Sequence, residues 1–379
     1  MVKRMIMKAS KLISLSYFKQ MRTSSPVFWN EKYGSYDVFK YEDVKTIFTN
    51  HGLFSSQGRE SMKDPIDASI LRQDPPKHRQ LRMLVAQAFS PRVIEGLAPK
   101  IEAIAHALCD QIELGGIMEG LHDFASPLPI IVIAEMLGIP QEDRALFKQW
   151  SDSLVGNNSE QYYQCQREMS VYFTDISNKR RREPQEDLIS HLIRAKGEEE
   201  QLSDLEVISF CILLLVAGNE TTTNLISSAM LVLDSDPSVR EQLMADRSLI
   251  PQALDEVLRY YSPVQMMIRT VKETTILSGH TLSPGQMINL WIGSANHDEE
   301  IFENPHIFNI HRNPNPHLAF GHGIHNCLGA QLARMESKIA IQTLLERFPE
   351  FRHHHSHVLE RIDSWIMFGV KEIPIILKK

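Results

Sequence analysis

The residues best suited to chemistry lie in the stretch FGHGIHNCLGAQLAR, Phe320 to Arg334. Its one cysteine, Cys327, sits in a turn studded with glycines at 321, 323 and 329. Glycine lets a backbone turn tightly and approach a flat ligand closely. Leu328, Leu332, Met335 and Ile339 have helical spacing, so the sulfur is expected just ahead of a helix N-terminus. Free amides and the helix dipole there favour a thiolate over a thiol. A thiolate so placed is a good iron ligand. Two other readings compete. A lone cysteine beside a turn is commonly a small buried hydrophobe, and His317, His322, His325 and Cys327 offer mixed ligands that suit zinc. Their spacing is not that of a common finger or ribbon.

Three further groups could do chemistry. LLLVAGNETTTNLI places Gly218 and the polar run Asn219 to Thr223 inside an otherwise apolar helix. Glycine and adjacent threonines weaken a helix, and a buried carboxylate at Glu220 needs partners. Local rules broken in a core helix point to a functional site. A polar face turned to another helix explains the run equally well. His78 and Arg82 stand at i and i+4 behind Pro75-Pro76, on one helical face that could bind an anion. Taken alone, they read better as solvated surface. Glu256 and Arg259 stand at i and i+3, a spacing that by itself describes a surface ion pair of little worth.

The cysteine loop resembles the haem-binding signature of cytochromes P-450 at Phe320, Gly321, Gly323, His325, Cys327, Gly329, Leu332, Ala333 and Arg334. Ala217, Gly218, Asn219, Glu220 and Thr221 match that family's oxygen-activation motif, Glu256/Arg259 its Glu-x-x-Arg pair, and Arg312 the arginine that joins the pair. All occur in the family's order, over nearly the whole chain, with the closest match to soluble bacterial members. The resemblance implies a mainly α haem-thiolate fold with a small β portion, and haem b held through Cys327. His78, Arg82, Arg269 and His325 would meet the propionates. Gly218 would make room for dioxygen, Thr221 would hydrogen-bond it or a water, and Glu220 would relay protons. Glu256, Arg259 and Arg312 would form a buried network fixing the Cys327 loop. Val264, Met266, Met267, Ile366 and Met367 would line a substrate pocket, with Ile70, Leu71, Leu213 and Leu214 as further apolar candidates.

The elements that must position these groups are partly readable. PVFWNEKYGSYDVF (26–39) suggests two strands around a turn at Lys32 to Ser35, and 41–50 a helix. Residues 51–74 have no clear period and suggest a lid. From 91 to 195, amphipathic helices break at Gly115-Gly116 and near Gly156 to Ser159. The cluster Lys179 to Glu183 reads as a solvated helix end. Ser203 with Glu206 forms a capping box, with Leu202 and Val207 as its staple, opening a helix to about Ser235. Residues 274–293 suggest strands around turns at Ser278-Gly279 and Pro284-Gly285, and the chain from His357 on reads as strand-like. HHHSH (353–357) reads as an exposed polar loop. Cys109, Cys165 and Cys211 read as small buried hydrophobes.

The chain has 379 residues, 43% hydrophobic and 23% charged, with no linker, repeat or low-complexity run, so one mainly helical domain over 1–379 is expected. A net charge of −7 argues against a general nucleic-acid binder. Four scattered cysteines argue against a disulfide framework and suit the cytoplasm. The basic N-terminal stretch is too interrupted for a membrane anchor. The resemblance further implies a monooxygenase that uses O2 and two electrons to hydroxylate a hydrophobic small molecule such as a fatty acid, terpenoid or steroid. Electrons would come from a separate ferredoxin or flavodoxin with its reductase, docking near Lys77, Arg79, Arg334 and Lys338. A peroxide-driven hydroxylase and a non-catalytic haem sensor are the alternatives. The Glu220-Thr221 pair argues against the first.

Overall fold

The computed structural model describes residues 12–57, 65–112, 116–155, 159–195, 201–354 and 357–377. Expectations for the start of the basic N-terminal stretch, the middle of the lid, Gly115, Gly156 and the centre of HHHSH fall outside these.

Helix α1 (Leu15–Ser24) leads to the hairpin β1 (Val27–Asn30) and β2 (Ser35–Val38), then to α2 (Tyr41–Thr49) and the short β3 (Phe54–Ser55). Two 3-10 turns, Pro65–Ala68 and Ile70–Arg72, precede α3 (Lys77–Ala86). Next come α4 (Pro91–Asp110), β4 (Ile117–Glu119), a π-helical turn over Gly120–Ala125, α5 (Pro127–Leu137), α6 (Arg144–Val155), α7 (Ser159–Arg182) and α8 (Leu188–Arg194). The central α9 (Asp204–Ser235) follows, with α10 (Pro237–Ala245) and α11 (Ile250–Tyr261). Strands β5 (Met266–Val271), β6 (Thr275–Leu277), β7 (His280–Leu282) and β8 (Met287–Trp291) lead to the short α12 (Ile292–Ala295). After the cysteine loop come α13 (Ala330–Arg347), β9 (Phe351–His353) and β10 (Pro374–Leu377).

Helix α9 organises the rest. The Ser203 side chain accepts from the Glu206 amide while the Glu206 side chain accepts from the Ser203 amide, as the capping box predicts. α5, α6, α7, α11 and α13 pack around it, and so does the turn Pro65–Ala68. α9 and the stretch Gly120–Leu137 are apolar and long enough to cross a bilayer, yet more than half of each is buried inside the protein. Both are core helices. The main sheet has the order β1-β2-β8-β5-β3, with β2 and β8 parallel. It covers a second, smaller apolar core built on Val38, Val44, Ile47, Ile288 and Leu290.

The expectation of a mainly helical chain with a small β portion holds, with local corrections. The segment 51–74 is not aperiodic throughout: Phe54 and Ser55 pair with β5, and Asp74 accepts from Ser55 Oγ at 2.6 Å and from the Ser56 amide at 3.0 Å. β4 falls where a helix break was expected, and pairs with β10. β9 begins before 357, so the C-terminal β region starts earlier than expected. Arg180 is not solvated. It is 8% exposed, ion-paired with Asp187, and donates to Gly138 O at 2.8 Å. A buried cation needs a buried partner, and Asp187 lies beyond the helix end, where charge counting along one helix cannot find it.

Candidate active site

The cysteine loop is held from both flanks. The Cys327 amide donates to Phe320 O at 2.8 Å, closing the turn that delivers the sulfur to α13. Gly321 and Gly323 have φ of +70° and +72°. A Cβ on Gly323 would stand 2.6 Å from Phe48 O, at the end of α2. Glycine is required there by backbone sterics, independently of any ligand. Arg334 Nε donates to Asp255 Oδ1 at 3.0 Å and its guanidinium lies 4.5 Å over the Phe320 ring. His317 Nε2 lies 3.4 Å from the same oxygen.

Beneath this lies the network expected at 256, 259 and 312. Arg259 Nε and Nη2 each donate to Glu256 at 2.8 Å, a bidentate pair. Arg312 Nε donates to Glu256 Oε2 at 3.1 Å, and the Asn309 amide to Oε1 at 2.9 Å. Arg259 Nη1 also donates to the carbonyls of Asn296 and Pro305, both at 2.9 Å. Glu256 and Arg259 are fully buried. Asn315, which donates to Glu256 Oε2 at 3.3 Å, is a member the sequence did not flag. So is Asp255, whose carboxyl burial would raise but which His317 and Arg334 together hold below its ordinary value.

Cys327 is exposed, yet the surrounding protein is the largest influence on its thiol, and that desolvation raises its pKa. The Gly329 amide, Arg82 and Arg334 act the other way. The helix-start argument thus has the right sign for the amide and misses the larger desolvation. α9 opens one stripe: Ala217 is exposed and Leu214, Gly218 and Thr221 are half-buried within a helix otherwise mostly buried. Thr221 Oγ1 donates to Ala217 O at 2.7 Å. Burial pushes the Glu220 carboxyl up to about 7. A Cβ on Gly218 would meet Ile133 of α5 at 3.1 Å, so close packing of α9 on α5 is a second reason for that glycine.

Four donors gather beside the thiol. The His78 and His325 rings lie 4.2 Å apart, and Nε2 of each is buried without a partner. Burial, then the neighbouring cations, lowers the His325 pKa to about 3. Arg269 is 5% exposed, and burial draws its pKa down to about 10. Burial also lowers Arg82, with the Cys327 sulfur opposing. Among the described residues the carboxylate acting on this group is Asp74, already bound to Ser55 and Ser56. Buried cations and unpaired donors around one occupied carboxylate fit a ligand that brings its own anions.

Other expectations do not gather. The zinc reading fails: no group of three or more His, Cys, Asp or Glu among the described residues is placed to hold a metal ion. His317 is turned to Asp255 and His325 to His78. Met266 and Met267 are neighbours in β5 and so face opposite sides of the strand. Met267 shares its side with Arg269, so the two methionines do not line one pocket wall. Val264 bridges Met367, and the Gln265 amide donates to Ile366 O at 2.7 Å, bringing the 366–367 turn against the start of β5. Leu213 is buried in the main core, while Leu214 is only partly covered. Ile70 is buried and Leu71 exposed. Two of the four docking candidates are engaged: Lys77 with Glu206 at 2.5 Å, and Arg334 with Asp255. Arg79 and Lys338 are exposed.

An accessible thiol with two orphaned histidine nitrogens and two arginines close by suits a haem-thiolate site. Residues 132–378 match the family model for cytochrome P450, and the chain belongs to that family. It is 40% identical over 370 residues to the putative cytochrome P450 YjiB of Bacillus subtilis, covering 95% of this chain and 92% of that one. It superposes on CYP109E1 from Bacillus megaterium in complex with testosterone with a TM-score of 0.93 at 40% identity, covering 98% and 100%. A P450BioI complex with a hexadec-9Z-enoic acid ligated acyl carrier protein gives 0.90 at 35% identity, covering 96% and 97%. Members of the family are oxidoreductases that bind haem b, and they use O2, a redox partner and hydrophobic substrates. Haem b carries two propionates, which the unpaired donors suit.

Proposed function

We propose that this chain is a haem b monooxygenase, folded as one cytoplasmic domain, in which Cys327 would ligate the iron and His78, Arg82, Arg269 and His325 would hold the propionates. The observation that carries it is the set of donors beside the Cys327 thiol: two histidines with orphaned Nε2, the buried Arg269 and the half-buried Arg82. When bound, thiolate-ligated haem supplies reductive activation of dioxygen and insertion of one oxygen atom into a C–H bond.

The chain's own residues do the rest. Glu256, Arg259 and Arg312 clamp the 303–315 segment that leads into the cysteine loop, fixing the height of the sulfur. The Gly329 amide hydrogen-bonds the sulfur and moderates its basicity. On the opposite side, Glu220 can hold or release a proton near neutrality, and Thr221 presents a hydroxyl anchored on Ala217 O. Gly218 keeps that part of α9 free of a side chain. Leu214, Met267, Ile366 and Met367 exclude water around an apolar guest.

The guest is a hydrophobic small molecule of fatty acid, terpenoid or steroid type. The testosterone complex and the fatty acyl complex of the two similar proteins support that range. Electrons come from a separate ferredoxin or flavodoxin with its reductase, with Arg79 and Lys338 as the free cations for docking. The test is the absorption spectrum of the reduced, carbonyl-bound protein. The thiolate-type band is expected in the wild type and absent in Cys327→Ser, with the far-ultraviolet circular dichroism retained. Haem taken up with an unchanged band in Cys327→Ser overturns the assignment.

A further inference from the structure

Near the C-terminus, a hairpin carries the 366–367 turn that borders the proposed pocket. Residues 360–371 fold back on themselves. The Ile362 amide donates to Gly369 O at 3.1 Å, the Lys371 amide to Glu360 O at 2.9 Å, and Arg361 bridges Val370. Packing fixes the base of this hairpin. Phe368 is fully buried, with its ring centroid 5.1 Å from that of Tyr261, and a Cβ on Gly369 would collide with the Asn224 side chain of α9. The tip, 364–367, is held differently. Trp365 is 56% exposed and Ile366 47%, so burial contributes little there.

One side chain spans the tip from within the hairpin. Arg361 Nη2 donates to Ser364 O and to Met367 O, both at 3.2 Å, so a single guanidinium ties the first residue of the tip to the last. Hydrogen bonds from a charged donor are stronger than neutral ones. The Arg361 Cζ lies 5.5 Å from the Phe368 ring centroid, which joins this brace to the packed base. Its Nε is buried without a partner, a cost that the two carbonyl contacts must offset. The braced tip is seated on the segment leading into β5. There the Phe368 amide donates to Pro263 O at 2.9 Å and the Gln265 amide to Ile366 O at 2.7 Å. Val264, between those two positions, bridges Met367.

We propose that Arg361 is a positioning residue that determines specificity. By fixing the Ser364 and Met367 carbonyls, it sets how far Ile366 and Met367 enter the pocket, and so which carbon of the guest faces the haem. The guest touches the two apolar side chains, and Arg361 acts through the backbone that carries them. The proposal rests on the pocket assigned under Proposed function, but the brace itself has a separate readout.

That readout is amide hydrogen exchange of haem-loaded protein, compared between wild type, Arg361→Met and Arg361→Lys. Arg361→Met keeps the apolar stem and removes the donors. Its exchange is expected to rise on the order of tenfold in peptides covering 362–370 and 263–268, and to stay unchanged elsewhere. Arg361→Lys, which can reach one carbonyl at a time, is expected to fall between. In turnover with testosterone and with hexadec-9Z-enoic acid, Arg361→Met is expected to shift the ratio of hydroxylated isomers by about tenfold, because small displacements of a guest carry large rate effects. The carbonyl-bound spectrum is expected to stay as in the wild type. Unchanged exchange at the tip overturns the proposal, whether or not either compound is turned over. So does faster exchange with lower total turnover and an unaltered isomer ratio, the pattern of a merely structural residue. A wild type that takes up no haem, or hydroxylates neither compound, counts against the function proposed above instead, and the exchange rates then still decide whether Arg361 holds the tip.

Discussion

Replacing Glu256 by alanine tests the support of the cysteine loop most directly. Glu256 is fully buried and accepts from Arg259 Nε and Nη2, Arg312 Nε, the Asn309 amide and Asn315 Nδ2. Alanine leaves the Arg259 guanidinium at 0% exposure without a carboxylate, held only by backbone carbonyls and the Tyr260 and Phe302 rings. Breaking a buried pair from one side costs about 3–5 kcal/mol, because the other charge is stranded. Against a total stability of roughly 5–15 kcal/mol, that is a large share. It lowers the folding equilibrium constant by about a hundredfold to a few thousandfold. The local consequence is larger still, since the freed segment 303–315 runs straight into the turn carrying Cys327. The assay is denaturant unfolding of purified protein, with the haem-to-protein ratio as a second measurement. Glu256→Ala is expected to give little or no haem-loaded protein, and Arg259→Ala the same. Glu256→Gln, which keeps the shape and one good acceptor, is expected to fall between. A Glu256→Ala protein with wild-type yield, midpoint and haem content refutes the reasoning.

Three other outcomes follow from single residues. Glu220, raised by burial to about 7, should make product per electron fall as pH rises past about 7, as its proton is lost. That step should be absent in Glu220→Gln, and a profile shared by both proteins would remove Glu220 from proton delivery. His297 is 2% exposed, with its pKa lowered to about 3 by burial first and then by Arg259. Its unfolded value is about 6.5, so below that pH the unfolded chain binds the extra proton and stability is lost as pH falls toward about 3. His297→Asn should flatten the slope of unfolding free energy between about pH 6.5 and 5, measured by urea titration; an unchanged slope counts against it. Gly323→Ala should destabilise by about 1–3 kcal/mol, since φ is +72° and the new Cβ stands 2.6 Å from Phe48 O. Gly96→Ala, in a helix with open space around it, should stabilise by about 0.5–1 kcal/mol. Equal denaturation midpoints for the two variants would contradict the steric argument.

What the sequence determined is what short-range rules can carry. The capping box at Ser203 and Glu206, the hairpin turn at Ser278-Gly279, the turn at Pro284-Gly285, and the helix after Cys327 depend on neighbours a few residues apart, and those are in plain view. The loop motif belongs with them, because its glycines and its cysteine act through one stretch of backbone. Tertiary structure decided whether the charges found partners. Arg180 looked solvated until Asp187 and Gly138 O folded onto it, and Glu256 gained Asn309 and Asn315 from more than fifty residues away. The same holds for the sulfur: sequence placed it ahead of a helix, but only packing set how far burial opposes its ionisation. Pairing of β4 with β10 and the opposed faces of Met266 and Met267 also needed the fold. Burial and long-range partnership are properties of the assembled chain, since desolvation depends on every element that closes over a group.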